Sequence, residues 1–323
     1  MSAIPAQPAV KQRRSLGETL RRNPITLKEM RGRMRGRRAF AVLTVNAMLL
    51  GGLVSLIYAA YAASAQVIVS PSGLQSLGKT IFAVTVGLQL LITCFTSSAA
   101  AVGAISSERE RQTFELLRTT LLPARSLVLG KLAAAVLFNL VLILSAIPIA
   151  SLSFLFGGVT LEEITIASVF LIVTAIAFSC LGLFFSSLMR RTSQATAVST
   201  VVTLLLTFGL PVFMLIVQGL LSAMVYSSVY TSGLSSTSAA MAEAELLRNF
   251  ILWLLIALSP LSAGVATLAI LLDSQSAFTM TFTISGGTSV TYPAPWIAYS
   301  VIYLLLSLIL IAASVRLVKR VDK

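Results

Sequence analysis

The sequence has no histidine and little charge of any kind. Without histidine, the commonest general base at neutral pH and the commonest metal ligand are both missing. Only 11% of the 323 residues are charged, against roughly 25% in a soluble domain. The two cysteines, Cys94 and Cys180, both lie inside apolar runs. They read as small core residues, which gives a zinc site or a disulfide framework little support. In the apolar runs that read as crossings, no Asp, Glu, Lys or Arg stands at mid-span. Proton relays, voltage sensors and intramembrane enzymes depend on such groups, so secondary transport, ion pumping and intramembrane hydrolysis all lose ground. No internal repeat is evident, and an inverted-repeat transporter has no support.

What the chain does have is apolar length. Hydrophobic residues make up 57% of it, and run after run reaches the about 20 residues that a bilayer core demands. The expected fold is all-α and integral to the membrane. It has six transmembrane helices, an N-terminal amphipathic interfacial helix, a cytoplasmic coupling helix between spans two and three, and an external re-entrant hairpin before span six. The expected spans are 39–63, 80–105, 131–156, 164–189, 195–219 and 294–315. Little chain is left for a soluble domain. The net charge of +13 marks the cytoplasmic side of a membrane protein rather than a nucleic-acid partner.

Residues 1–22 read as a disordered basic tail, rich in Pro, Gln and Ser with scattered Arg. Asn23-Pro24 is a helix start. Over 23–38, Leu27, Met30 and Met34 form a narrow apolar stripe, surrounded by Lys28, Arg31, Arg33, Arg35, Arg37 and Arg38. Such a helix lies among lipid headgroups with its arginine stems snorkelling. A plain positive-inside anchor and a dedicated elbow helix both fit, and both put the N-terminus in the cytoplasm.

Gly73 to Thr80 spells the phosphate-binding pattern GxxxxGK[ST]. Its context argues for an exoplasmic loop. A membrane-length apolar run follows it, and no later Asp is placed to hold magnesium. Beyond span two, Ser106 to Thr120 is a block of alternating charge, with no charge from Thr80 to Ala104 before it. Ser107 and Glu110 read as a capping box that starts a new helix. Phe114, Leu117 and Leu121 repeat on one stripe and Pro123 ends it. This segment, 106–127, is expected to lie across the membrane face. Pro211 is a kink candidate in span five. Ser222 to Ala242 reads as an external polar stretch.

Residues 250–272 are apolar enough to cross, yet Ser259-Pro260 sits at their centre. The basic tail of Arg316, Lys319, Arg320 and Lys323 belongs inside. With both termini inside, the number of crossings is even, so this segment reads as re-entrant and turning at Pro260. A seventh span is the alternative.

The order of these features resembles the ABC-2-type permeases, the membrane subunits of ATP-binding-cassette exporters. The resemblance runs from Asn23 to Lys323 and is most specific at Glu108-Arg109-Glu110-Arg111-Gln112-Thr113-Phe114-Glu115-Leu116-Leu117. Many members have Gly where this chain has Gln112. The resemblance implies a permease subunit without its own nucleotide site, in the cell (inner or plasma) membrane. ATP and Mg would be bound by a separate ABC ATPase. A second permease copy or a sister permease and membrane lipids would be the other partners. It further implies that Glu108, Glu110, Thr113, Phe114, Glu115, Leu117 and Arg118 form the contact with the ATPase, and that the hairpin turning at Pro260 caps the pathway externally. A membrane scaffold recruiting cytosolic proteins is the competing function. The substrate cannot be read from the chain.

Overall fold

The computed structural model describes residues 24–34, 36–63, 71–112, 124–231, 238–272, 277–283 and 289–320. Its helices in chain order are α1 (Pro24–Met34), α2 (Arg37–Ala63), α3 (Pro71–Glu110), α4 (Ala124–Leu155), α5 (Leu161–Leu188), α6 (Thr192–Leu204), α7 (Leu210–Thr231), α8 (Ser238–Leu258), α9 (Pro260–Leu272) and α10 (Pro295–Arg320). Among the described residues, six helical stretches are long and apolar enough to cross a membrane: Ala39–Ala63, Ser72–Glu110, Ala124–Leu155, Leu161–Leu188, Thr192–Met224 and Pro295–Lys319. The protein is an all-α integral membrane protein, with one small hairpin of strands among the described residues.

α5 is the axial helix, with two thirds of its most apolar window buried. Its small residues allow this. A Cβ on Gly182 would lie 2.4 Å from the Ser98 carbonyl oxygen of α3, so the two backbones touch where a larger residue would hold them apart. On its other side, Phe170 packs at a tilt against Tyr299 and Phe178 stacks on Tyr303 of α10. The Tyr299 hydroxyl is 3.0 Å from Thr174 Oγ1, which satisfies a polar group in a fully buried place.

Several boundaries differ from the sequence expectation. α3 is 40 residues long. The 73–80 segment is therefore not a loop but its opening turns. Pro71 is harmless at a helix start, because its missing N–H is among the unpaired ones there. Gly78 faces the end of α4, where a Cβ would lie 2.9 Å from the Ser153 carbonyl. At its other end α3 runs straight through Ser107. That residue starts no helix; its hydroxyl donates back to Gly103 O, and Glu110 is the helix's last residue. α4 begins at Ala124 rather than 131, so the 106–127 segment shares both its ends with spans. α1 ends at Met34, and Arg37 and Arg38 open α2, which shortens the expected 23–38 helix. The stretch 222–242 is helical to Thr231 and again from Ser238.

Pro211 does not break its helix. A π-helical turn, Leu205–Gly209, precedes it. Wider i→i+5 bonding absorbs the ring and the lost donor, and Thr192–Met224 stays one span.

Around Pro260, Glu243–Leu258 and Pro260–Leu272 meet at 110°. The corner is chemically closed. The Tyr303 hydroxyl donates to Leu258 O at 2.8 Å. Ser259 Oγ accepts from the Ser262 amide at 3.3 Å, so Ser259 caps α9 and Pro260 takes its first position. At the far end of α9, Lys79 Nζ donates to Leu272 O at 2.6 Å. Beyond it, Thr279–Thr283 (β1) and Ser289–Pro293 (β2) pair antiparallel, Thr281 opposite Thr291. Trp253 donates to Pro293 O at 2.9 Å and Trp296 to Ala277 O at 2.8 Å, tying the hairpin to α8 and α10. Its alternating Thr-Met-Thr-Phe-Thr is the period-2 signal of a strand, short enough to go unnoticed among membrane helices.

Candidate functional site: the charged node at one end of the bundle

α3 ends among charges, and the structure places its last turns between α1, α4, α5 and α6. Lys131 is the centre. Because α4 starts at Ala124, Lys131 sits about two turns in at 3.6 residues per turn, only 2% exposed. Its ammonium is 2.6 Å from Glu108 Oε1 and 3.2 Å from Glu29 Oε1, and it donates to the Ala104 carbonyl at 2.6 Å. A buried ammonium is tolerable only when paired and hydrogen-bonded. Here three donors meet three acceptors, from α1 and α3.

α1 is held to the bundle by the same group. Glu29 also pairs with Arg33 one turn on, at 3.7 Å, and Arg33 Nη1 donates to Ala100 O of α3 at 2.7 Å. On the other flank, Arg109 Nη1 donates to Ser187 O at 2.8 Å. Glu110 Oε2 accepts from the Thr192 hydroxyl at 2.7 Å and its amide at 3.3 Å, so a carboxylate caps the start of α6. Deeper, Ser186 Oγ accepts from the Ile105 and Ser106 amides at 2.9 and 3.0 Å. The end of α3 is thus riveted to four helices.

The helix terminates at a residue with unusual backbone. Gln112 has φ of 57°, and its amide donates to Arg109 O at 3.1 Å. This is the left-handed position that ends many helices and that glycine fills at no cost.

Of the expected contact residues, Glu108 and Glu110 are in this node. Thr113, Phe114, Glu115, Leu117 and Arg118 lie outside the described residues. So does Arg35, together with the side chains of Lys28 and Arg38. Arg31 is exposed on α1. Glu29, Arg33, Lys131, Ser186 and Thr192 were not anticipated. A lone acid among bases in α1, and a lone lysine within an apolar run, were the available signals. Among the described residues no three of His, Cys, Asp and Glu are grouped to hold a metal, and the node's polar groups are engaged in bonds between helices. Its chemistry is mechanical: it makes one rigid body of five helix ends.

The profile of the ABC-2 type transporter family matches residues 25–218, more than half of the chain. The chain belongs to that family. The match runs from α1 through the node into α7, so the node lies wholly within it. Comparison with curated proteins returns no match. As a member of the ABC-2 type transporter family, the chain is a multi-pass permease subunit of an ABC transporter, a class that works with an ABC ATPase and carries no nucleotide site of its own.

Proposed function

We propose that this permease is the membrane half of an ABC exporter, worked by a separate ATPase chain docked at the charged node. The observation that carries the reading is Lys131, which bonds both Glu29 of α1 and Glu108 of α3 from inside α4. An ATPase gripping the 106–127 segment would hold it between the ends of α3 and α4. Phe114 and Leu117 suit an apolar cleft there, and Glu115 and Arg118 suit polar contacts that set register. Force on that segment passes to α1, α5 and α6 through bonds already made. α3, about 60 Å long at 1.5 Å per residue, is roughly twice the hydrocarbon thickness, and so serves as a lever. Tilting α3 and α4 together exchanges inward- and outward-facing states.

The node end is cytoplasmic in this reading. Arg37, Arg109, Arg190, Arg191, Arg316 and Lys319 flank spans there, and the positive-inside rule puts them in the cytosol, along with both termini. α1, with Lys28, Arg31, Arg35 and Arg38, lies at the inner headgroup layer of the cell membrane against anionic lipid. The corner at Pro260 belongs to an external re-entrant segment that caps the pathway. The working assembly is a dimer with a second copy or a sister permease, and ATP and Mg act on the ATPase.

The test is reconstitution with the ATPase. Glu115→Arg and Phe114→Asp are expected to lose ATPase co-purification while the permease still inserts and remains monodisperse. Undiminished co-purification in both variants would falsify the docking role.

A further inference from the structure

Several buried polar side chains of the bundle bond a neighbouring helix. Asn46 reaches Ser145 at 3.2 Å and Asn139 accepts from Thr96 at 2.8 Å. Gln89 does not. It is 1% exposed, and among the described residues neither its amide oxygen nor its amide nitrogen has a hydrogen-bond partner. One turn before it on the same face of α3, Thr85 is 2% exposed and its hydroxyl is also without a partner among the described residues. Both residues line one cavity of about 90 Å³ between α3, α4 and α5.

An amide and a hydroxyl without partners in an apolar interior are costly, and a groove that leaves them so points to an occupant. The rest of the wall narrows its nature. Phe82, Ile143, Ala167 and Leu171 make it aliphatic and aromatic, and no charged residue lines it. The α4 side includes exposed Ile147 and Ser151, so the cleft opens sideways on the face that a membrane bundle turns to lipid. The volume matches about three waters, or a group of three or four heavy atoms.

We propose that this cleft binds the polar end of an uncharged, membrane-dissolved amphiphile, an amide or alcohol with a hydrocarbon tail. Gln89 donates and accepts to the polar group, Thr85 Oγ1 adds a second contact, and the tail leaves between α4 and α5 past Ile147. Absence of charge in the wall excludes carboxylates, phosphates and amines, since an unpaired ion there would be strongly disfavoured. Entry is from the bilayer rather than from water. The site stands apart from the charged node, and its occupancy does not depend on the proposed ATPase.

The experiment uses the full chain in phosphatidylcholine nanodiscs and a hexadecanamide carrying a diazirine on its tail, with the matching hexadecane diazirine as control. On illumination the amide probe is expected to label α3, α4 and α5 around Gln89, Ile147 and Ile164, with competition by hexadecanamide and none by hexadecane. Gln89→Leu should cut that labelling about fivefold or more, the worth of a lost hydrogen bond, while raising thermal stability in the absence of probe. Ala146→Phe, which fills the cleft while leaving both polar residues in the sequence, should abolish labelling. Equal labelling by the alkane, unchanged labelling in Gln89→Leu, or no labelling of these helices at all would overturn the proposal. The last of these results would mean that the cleft holds water only.

Discussion

Lys131 Nζ lies 2.6 Å from Glu108 Oε1, an ion pair that bonds the beginning of α4 to the last turns of α3 across the segment connecting them. Glu108 is partly exposed while Lys131 is buried, so the pair is unequal. The lysine depends on its partners more than they depend on it.

Removing one partner of such a pair strands the other. Glu108→Gln is expected to cost about 3 kcal/mol, and Lys131→Met toward 3–5 kcal/mol because Glu29 is stranded as well. The double variant Lys131→Met/Glu108→Gln should lose less than the sum of the singles, by about 1–3 kcal/mol. Thermal unfolding of the four proteins in detergent measures this. Strict additivity would mean that the two side chains do not interact.

Gln112 invites replacement by glycine. Its φ of 57° costs a residue bearing a Cβ about 1 kcal/mol. Gln112→Gly should raise stability by about that amount, and Gln112→Val should lower it by more. A melting-temperature series over Gln, Gly, Ala and Val decides the matter; a flat series would show that the position carries no strain.

Gly182 sets the spacing of α3 and α5. With a Cβ held 2.4 Å from Ser98 O, Gly182→Ala is expected to cost about 1–3 kcal/mol and Gly182→Leu more. Size-exclusion profiles after a heat challenge would report it, with Gly51→Ala as the control, since nothing lies within 4 Å of a Cβ there. Equal profiles for the two sites would argue against the close helix contact.

The corner at Pro260 makes a topological prediction. If α8 and α9 return to the face they left, residues 235 and 285 lie on one side of the membrane. Ser235→Cys and Ser285→Cys should then both react with an impermeant maleimide from outside intact cells, against a background of two buried cysteines. Labelling of one alone would establish a seventh crossing.

Legibility in the sequence was uneven, for reasons that can be named. The spans were readable because a bilayer demands a contiguous apolar length, and contiguity is a one-dimensional property. The 110° corner had a local sign, Ser259-Pro260. Helix ends were read less well. Gly73 and Gly78 look like loop residues, and Ser107 with Glu110 looks like a cap. Both pairs lie inside one 40-residue helix, because packing against α4 and α5 outweighs local preference for a turn. The expected coupling residues 113–118 fall outside the described residues.

The sequence alone determined the class: a histidine-free, weakly charged, apolar chain must live in a membrane, and its family pattern is written in consecutive residues. Only the tertiary structure decided which polar groups matter. Glu29, Glu108 and Lys131 come from three different helices, and both polar atoms of the Gln89 amide lack partners among the described residues. Partnership between distant side chains depends on how helices pack, and neither periodicity nor composition records it.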